Sequence, residues 1–155
     1  MYSKILVAVD GSAHSRHALE HAIGLAKGLS ATLRVIHVVD MGWLPLGPEL
    51  AVDLAALQEA RRAAASQVLT GARETLQTAG LQADADLLET ATPTQHIASV
   101  ITEEAANWRA DLIVLGTHGR KGMERLLLGS VAEGVARMSS LPVLLIPHQA
   151  AAASR

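Results

Sequence analysis

The segment LIVLGTHGRKGMERLLLGS, residues 112–130, decides the fold. It opens on four aliphatic residues and then spaces glycines at Gly116, Gly119, Gly122 and Gly129, the last followed by Ser130. An aliphatic run without polar alternation suits a strand covered on both faces, as in parallel sheets flanked by helices. Glycine allows positive φ and lets another group approach the backbone where a Cβ would block it. The segment therefore predicts a buried strand over 111–116, a bare loop, and a helix from Ser130 to about Ser139.

The rest of the chain repeats this grammar. KILVAV (4–9) is a second fully aliphatic run, ended by Asp10-Gly11-Ser12, where an Asx or glycine turn reverses the chain. From Ser12 to about Leu29, Ala18, Leu19, Ala22, Ile23, Leu25, Ala26 and Leu29 recur at helical spacing, with Gly28 as a stop signal. TLRVIHVV (32–39) reads as a strand, 41–50 as a Pro/Gly loop, and 53–80 as a long helix closed by Gly80. QADADLLE (82–89) is an edge-like strand, and Thr92-Pro93-Thr94-Gln95 carries the signature of a helix start, the helix running to about Asn107. LPVLLIP (141–147) is a last strand fenced by Pro142 and Pro147. Alternating strands and helices of this kind give a single doubly wound α/β domain with a parallel sheet. In such sheets ligands sit beyond the carboxyl ends of the strands, where the strand order reverses. If 4–9 and 112–115 are neighbours, Asp10-Gly11-Ser12 and the glycine loop face one crevice.

Two readings of that loop stand side by side. Bare N–H groups followed by a helix start make an anion cradle, in which the Ser130 hydroxyl and N–H reach a phosphate. Alternatively, Ser130 with Glu133 fits S-x-x-E, an ordinary capping box that needs no ligand. Lys121 is not followed by Ser or Thr, and no G-x-G-x-x-G follows a strand. A Walker-type nucleotidase and a dinucleotide-dependent dehydrogenase are both excluded.

Composition narrows the classes further. At 155 residues the chain buries about 68–70% of its unfolded surface, enough for a sizeable core. Phe is absent and only Tyr2, Trp43 and Trp108 are aromatic, so that core is aliphatic and base stacking on aromatic platforms is not expected. A formal charge of −2 argues against nucleic acid as a partner. Without cysteine there is no disulfide, thiolate metal site or cysteine nucleophile, which fits a reducing compartment. The N-terminal apolar run of five residues is too short for a signal peptide or a membrane span, so no membrane partner and a cytoplasmic location are expected.

The spacing Gly116-x2-Gly119-x9-Gly129-Ser130, with the flanks KILVAVDGS, VIHVVD, DLIVLG and SVAEGVARMSSLPVLLIP, resembles the ATP-binding branch of the universal stress protein family over nearly the whole chain. The resemblance implies a five-stranded parallel sheet, Rossmann-like and adenine nucleotide alpha hydrolase-like, with a universal stress protein domain over 1–148 and a flexible tail over 149–155. It implies ATP as ligand, with Ala8, Val9, Asp10 and Val38 about the adenine and ribose. Gly116, His118 and Gly119 line the ribose and phosphate path, and Gly129, Ser130 and Val131 hold the phosphates. Mg2+ or Mn2+ is bound through the phosphates. The resemblance also implies a homodimer through the last strand at Val143 and Leu145, whose edge is an association hazard unless paired.

Other residues have local readings. Asp10 fits an Asx turn as well as a ribose or metal contact. No Ser/His/Asp set or carboxylate pair surrounds His118, so general-base catalysis by it is disfavoured. His14, His17 and His21, spaced i, i+3, i+7, suggest zinc by number, but a solvated helix border accounts for them without a fourth ligand. Arg61-Arg62 and Glu103-Glu104 read as solvated helix faces, and Trp43 as a loop anchor. Three functions compete: a nucleotide-binding regulatory module with at most slow ATP hydrolysis, an enzyme transferring phosphoryl or adenylyl groups, and a nucleotide-free dimeric scaffold. The intact glycine set favours the first, and the lack of a Walker lysine or arginine finger disfavours fast turnover.

Overall fold

The computed structural model describes residues 1–42, 53–118 and 128–147. Five strands, β1 (Lys4–Ala8), β2 (Thr32–Val39), β3 (Asp84–Glu89), β4 (Leu112–Gly116) and β5 (Val143–Ile146), alternate with four helices. The helices are α1 (Ala13–Leu29), α2 (Leu54–Thr78), α3 (Ile97–Trp108) and α4 (Ser130–Met138). All strand pairs are parallel, in the order β3-β2-β1-β4-β5. The order reverses between β1 and β4, so the predicted doubly wound five-stranded sheet is what forms. Among the described residues no helix is long and apolar enough to cross a membrane.

The period of two along each strand divides the core. Ile5, Val7, Leu33, Val35, Leu112 and Val114 pack under α1 and α2, against Leu19, Ile23, Leu69 and Leu76. Leu6, Ile36, Val38, Ile113 and Leu115 face α3 and α4, against Ala98, Ile101 and Val135. Each buried Leu, Ile or Val contributes about 1.5–3 kcal/mol relative to exposure. The second layer is thin where α3 meets α4: a Cβ on Gly134 would lie 2.7 Å from the Ala98 Cβ, so the two helices touch through their smallest residues.

Several element ends differ from expectation. α1 passes Gly28 and is closed by Ser30, at φ 53, whose N–H reaches the Ala26 and Lys27 carbonyls. α3 begins at Ile97, not Thr92. Gln95 spends its side chain inside its own turn, accepting from the Ala91 N–H at 2.6 Å, and its N–H bonds the Thr92 carbonyl, so the capping signature closes a turn ahead of the helix. Gly80 does close α2 at φ 67, as expected. β1, β3 and β5 are shorter than the runs read for them, while β2 fills Thr32–Val39; Pro142 still offers its carbonyl to the Ile113 N–H.

Candidate functional site

At the carboxyl end of β1 the chain turns on a tight polar knot. Asp10 Oδ1 accepts from the Ser12 N–H at 2.8 Å, which is an Asx turn, and Gly11 adopts φ 83. Ser12 then caps α1, its hydroxyl accepting from the Ser15 N–H at 3.1 Å. The Ser15 hydroxyl donates to the Ser12 carbonyl and accepts from the Asp10 N–H. One oxygen of Asp10 is thus committed to the turn, which holds the carboxylate at the mouth of the crevice.

Facing it, β4 ends at Gly116, where a Cβ would lie 3.2 Å from the backbone carbon and oxygen of His14. Here glycine serves the packing of β4 under the first turn of α1. Beyond it, the Thr117 N–H bonds the Ile146 carbonyl at 3.1 Å, and the Thr117 carbonyl accepts from the Gly129 N–H at 2.8 Å. That last bond brings the start of α4 back to the end of β4. The cap of α4 is Gly129, at φ −60 and ψ 153, and it has no side-chain cap bond. Ser130 is therefore the first helical residue, and the capping-box reading of Ser130 and Glu133 is corrected: the Glu133 carboxylate instead accepts from Arg137 one turn on, at 2.8 Å. Ser130 is exposed, while Val131 packs partly against the second core cluster.

His118 lies just beyond β4, against the first turn of α1. Its Nδ1 is 3.0 Å from the Thr117 hydroxyl, and its ring faces the His14 ring at 5.6 Å between centroids. His118 Nε2 is buried and has no hydrogen-bond partner among the described residues. His14 thus turns toward the crevice, whereas His17 and His21 pack edge to face on each other at 4.7 Å. Among the described residues no three His, Asp or Glu side chains gather as a metal site. Gly119, Lys121, Gly122 and Trp43 lie outside the described residues.

The β2 side of the crevice holds residues that sequence reading passed over or took for solvated helix faces. His37, buried in the middle of RVIHVV, places Nδ1 2.7 Å from the Val9 carbonyl. Buried Thr90 accepts from the Met41 N–H, and Arg61 donates to the Asp40 and Gly42 carbonyls. Arg61 is thus not an idle surface charge but a clasp on the chain leaving β2. Arg62 pairs with Glu89 at 2.7 Å, and the hydrogen bond from Arg62 holds that carboxyl below its ordinary range. Glu104 likewise pairs with Arg34, which also meets Asp86 at 2.8 Å. The signal for His37 was available: a lone imidazole inside an otherwise aliphatic strand must find a polar partner.

Asp10, Gly116, His118, Gly129 and Ser130 are therefore brought to one end of the sheet, at the β1/β4 switch point, with Val9 and Val38 beside them. In doubly wound α/β domains the topological switch point is where ligands generally bind. The universal stress protein family model matches residues 1–147, and the chain belongs to that family. It is 36% identical over 147 residues to a universal stress protein of Methanocaldococcus jannaschii, covering 94% of this chain and 82% of the relative. A crystal structure of a family protein from Burkholderia pseudomallei is 35% identical with a TM-score of 0.75, covering 95% of this chain and 97% of that one. The structure of the universal stress protein from Archaeoglobus fulgidus in complex with dAMP is 25% identical with a TM-score of 0.63, covering 94% and 98%.

Proposed function

We propose that the protein is an ATP-binding universal stress protein, a regulatory module whose nucleotide occupancy biases its conformation or its partners, with at most slow hydrolysis. The observation that carries this reading is the Gly129–Thr117 bond, which draws the N-terminus of a nine-residue helix to the switch point beside Asp10. Its cap is a glycine and its first residue an exposed serine, so the first-turn N–H groups are open to a phosphate. The dAMP complex of the Archaeoglobus relative supports an adenine nucleotide as the ligand class. In this reading Ala8, Val9, Asp10 and Val38 flank adenine and ribose, Gly116, His118 and Gly119 line the path, and Gly129, Ser130 and Val131 hold phosphates. Mg2+ or Mn2+ enters with the phosphates. ATP with either cation, at 100 times its dissociation constant, adds about 2.7 kcal/mol and raises the melting temperature by roughly 5–10 °C. No shift at millimolar ATP would remove the reading.

The same reading includes a homodimer through β5. Its outer edge pairs with no strand among the described residues. Val143 and Leu145 pack partly against the chain's own core, and Leu144 is the exposed side chain, 36% accessible. The backbone edge with Leu144 is therefore the surface to test. Sedimentation at micromolar concentration is expected to show a dimer that Leu144→Lys weakens; a monomeric parent would sink the dimer.

A further inference from the structure

β1 and β2 part company before β2 ends, and one side chain stands at the fork. The β1–β2 register stops at Ala8↔Ile36, while β2 continues to pair with β3 as far as Val39↔Glu89. Even-numbered residues of β2 turn their backbone groups toward β1: the Thr32 N–H bonds the Ser3 carbonyl and the Ile36 carbonyl accepts from the Val9 N–H. Odd ones turn toward β3, as the Val39 carbonyl does in accepting from the Thr90 N–H. The next rung of a parallel ladder would join the Val38 N–H to the Val9 carbonyl. No such rung forms among the described residues. The Val9 carbonyl is instead 2.7 Å from His37 Nδ1, and since a carbonyl only accepts, Nδ1 carries the proton.

We propose that His37 is a positioning residue for base recognition: by holding the Val9 carbonyl it ends the ladder and leaves the Val38 N–H directed into the crevice, as a donor to an unprotonated ring nitrogen of adenine. Val38 is only 6% exposed, and a buried backbone donor without a rung is a group that a ligand satisfies. The inference rests on the nucleotide reading above and adds the residue that sets the base contact. In the absence of the imidazole, the Val9 carbonyl is released to the Val38 N–H and the rung closes.

The test compares His37→Leu, which removes the donor, with His37→Asn, whose Nδ2 stands near the position of Nδ1. Titration calorimetry with ATP and with inorganic triphosphate, which has no base, separates the two ends of the ligand. His37→Leu is expected to bind ATP about tenfold more weakly, with triphosphate affinity unchanged, and His37→Asn to recover most of the loss. Parent-like ATP affinity in His37→Leu, equal losses for both ligands, or no recovery in His37→Asn would overturn the role. The parent protein supplies a reading that no variant's folding can spoil: the Val38 amide proton should shift downfield in NMR spectra on addition of AMP. A Val38 amide that stays still while neighbouring signals move overturns the proposal alone. If no signal moves and ATP gives no melting shift, the nucleotide reading itself has failed and the proposal falls with it.

Discussion

The two ends of the sheet are built from similar residues and finished in opposite ways. At the amino end, Asp111 gathers the start of the chain: its carboxylate accepts from the Ser3 N–H and hydroxyl at 2.8 Å and from the Lys4 N–H at 3.0 Å. Lys4 lies over the Trp108 ring, 4.8 Å from its centroid, and donates to the Trp108 carbonyl. Arg73 holds the Ala85 carbonyl at 2.7 Å. At the carboxyl end the described ladder stops a rung early at Val38, His118 Nε2 is buried without a described partner, and α4 begins on a glycine cap. Backbone and side-chain groups saturated from within can only stabilise. Groups left oriented but unsatisfied have capacity for a ligand.

The contrast breaks if substitution of the open carboxyl-end groups acts only on stability, or if amino-end substitutions alter binding; packing residues such as Gly116 act on stability at either end. The largest effect is expected at Gly116, where the strand end touches the His14 backbone. Gly116→Val should lower stability by about 1–3 kcal/mol through overpacking, read as a fall in the urea midpoint at unchanged slope. A neutral result would mean that α1 yields there without cost. Ser130→Asp sharpens the comparison, because Ser130 is a first-turn residue and not the cap. Stability should hold or rise by a few tenths of a kcal/mol, since an acid in the first turn complements the helix dipole. ATP affinity should fall at least tenfold, about 1.4 kcal/mol. Calorimetry showing parent affinity in a stable Ser130→Asp protein would separate Ser130 from any phosphate.

The smallest effect belongs to the amino-end clasp. Desolvation pushes the Asp111 carboxyl upward, but hydrogen bonds from the Ser3 N–H, the Lys4 N–H and the Ser3 hydroxyl outweigh it and hold the group below its ordinary value. A lowered folded-state pKa contributes stability above the unfolded value, near about 3.9, and loses it as pH falls through the folded one. Asp111→Asn should therefore cost up to about 1 kcal/mol at neutral pH, shrinking toward zero in acid, with ATP affinity untouched. Urea midpoints at the two pH values check the sign, and a larger penalty in acid would contradict it.

Much of this was legible along the chain. The aliphatic runs at 4–9 and 112–115 announced a doubly wound sheet because only strands buried on both faces dispense with polar alternation. Asp10-Gly11-Ser12 and Gly129-Ser130 were readable as a turn and a helix start, because such places are written in small polar residues and glycine. Gln95 and Ser130 misled for a single reason: a capping pattern records which bonds a side chain could make, and the neighbouring fold decides which it does. Arg61 misled similarly, since a charged residue on a helix face shows no sign of the carbonyls that another strand will bring to it.

The sequence by itself determined the succession of strands and helices along the chain, the aliphatic core and the family, since periodicity and glycine spacing are properties of neighbouring residues. Tertiary structure alone decided that Gly116 exists to admit the His14 backbone, that Gly129 caps α4, and that His37 meets Val9 where two ladders diverge. Those contacts join residues as much as 102 positions apart. They depend on strand order and register, which no local pattern encodes, because only the packed sheet brings the partners within hydrogen-bond or van der Waals reach.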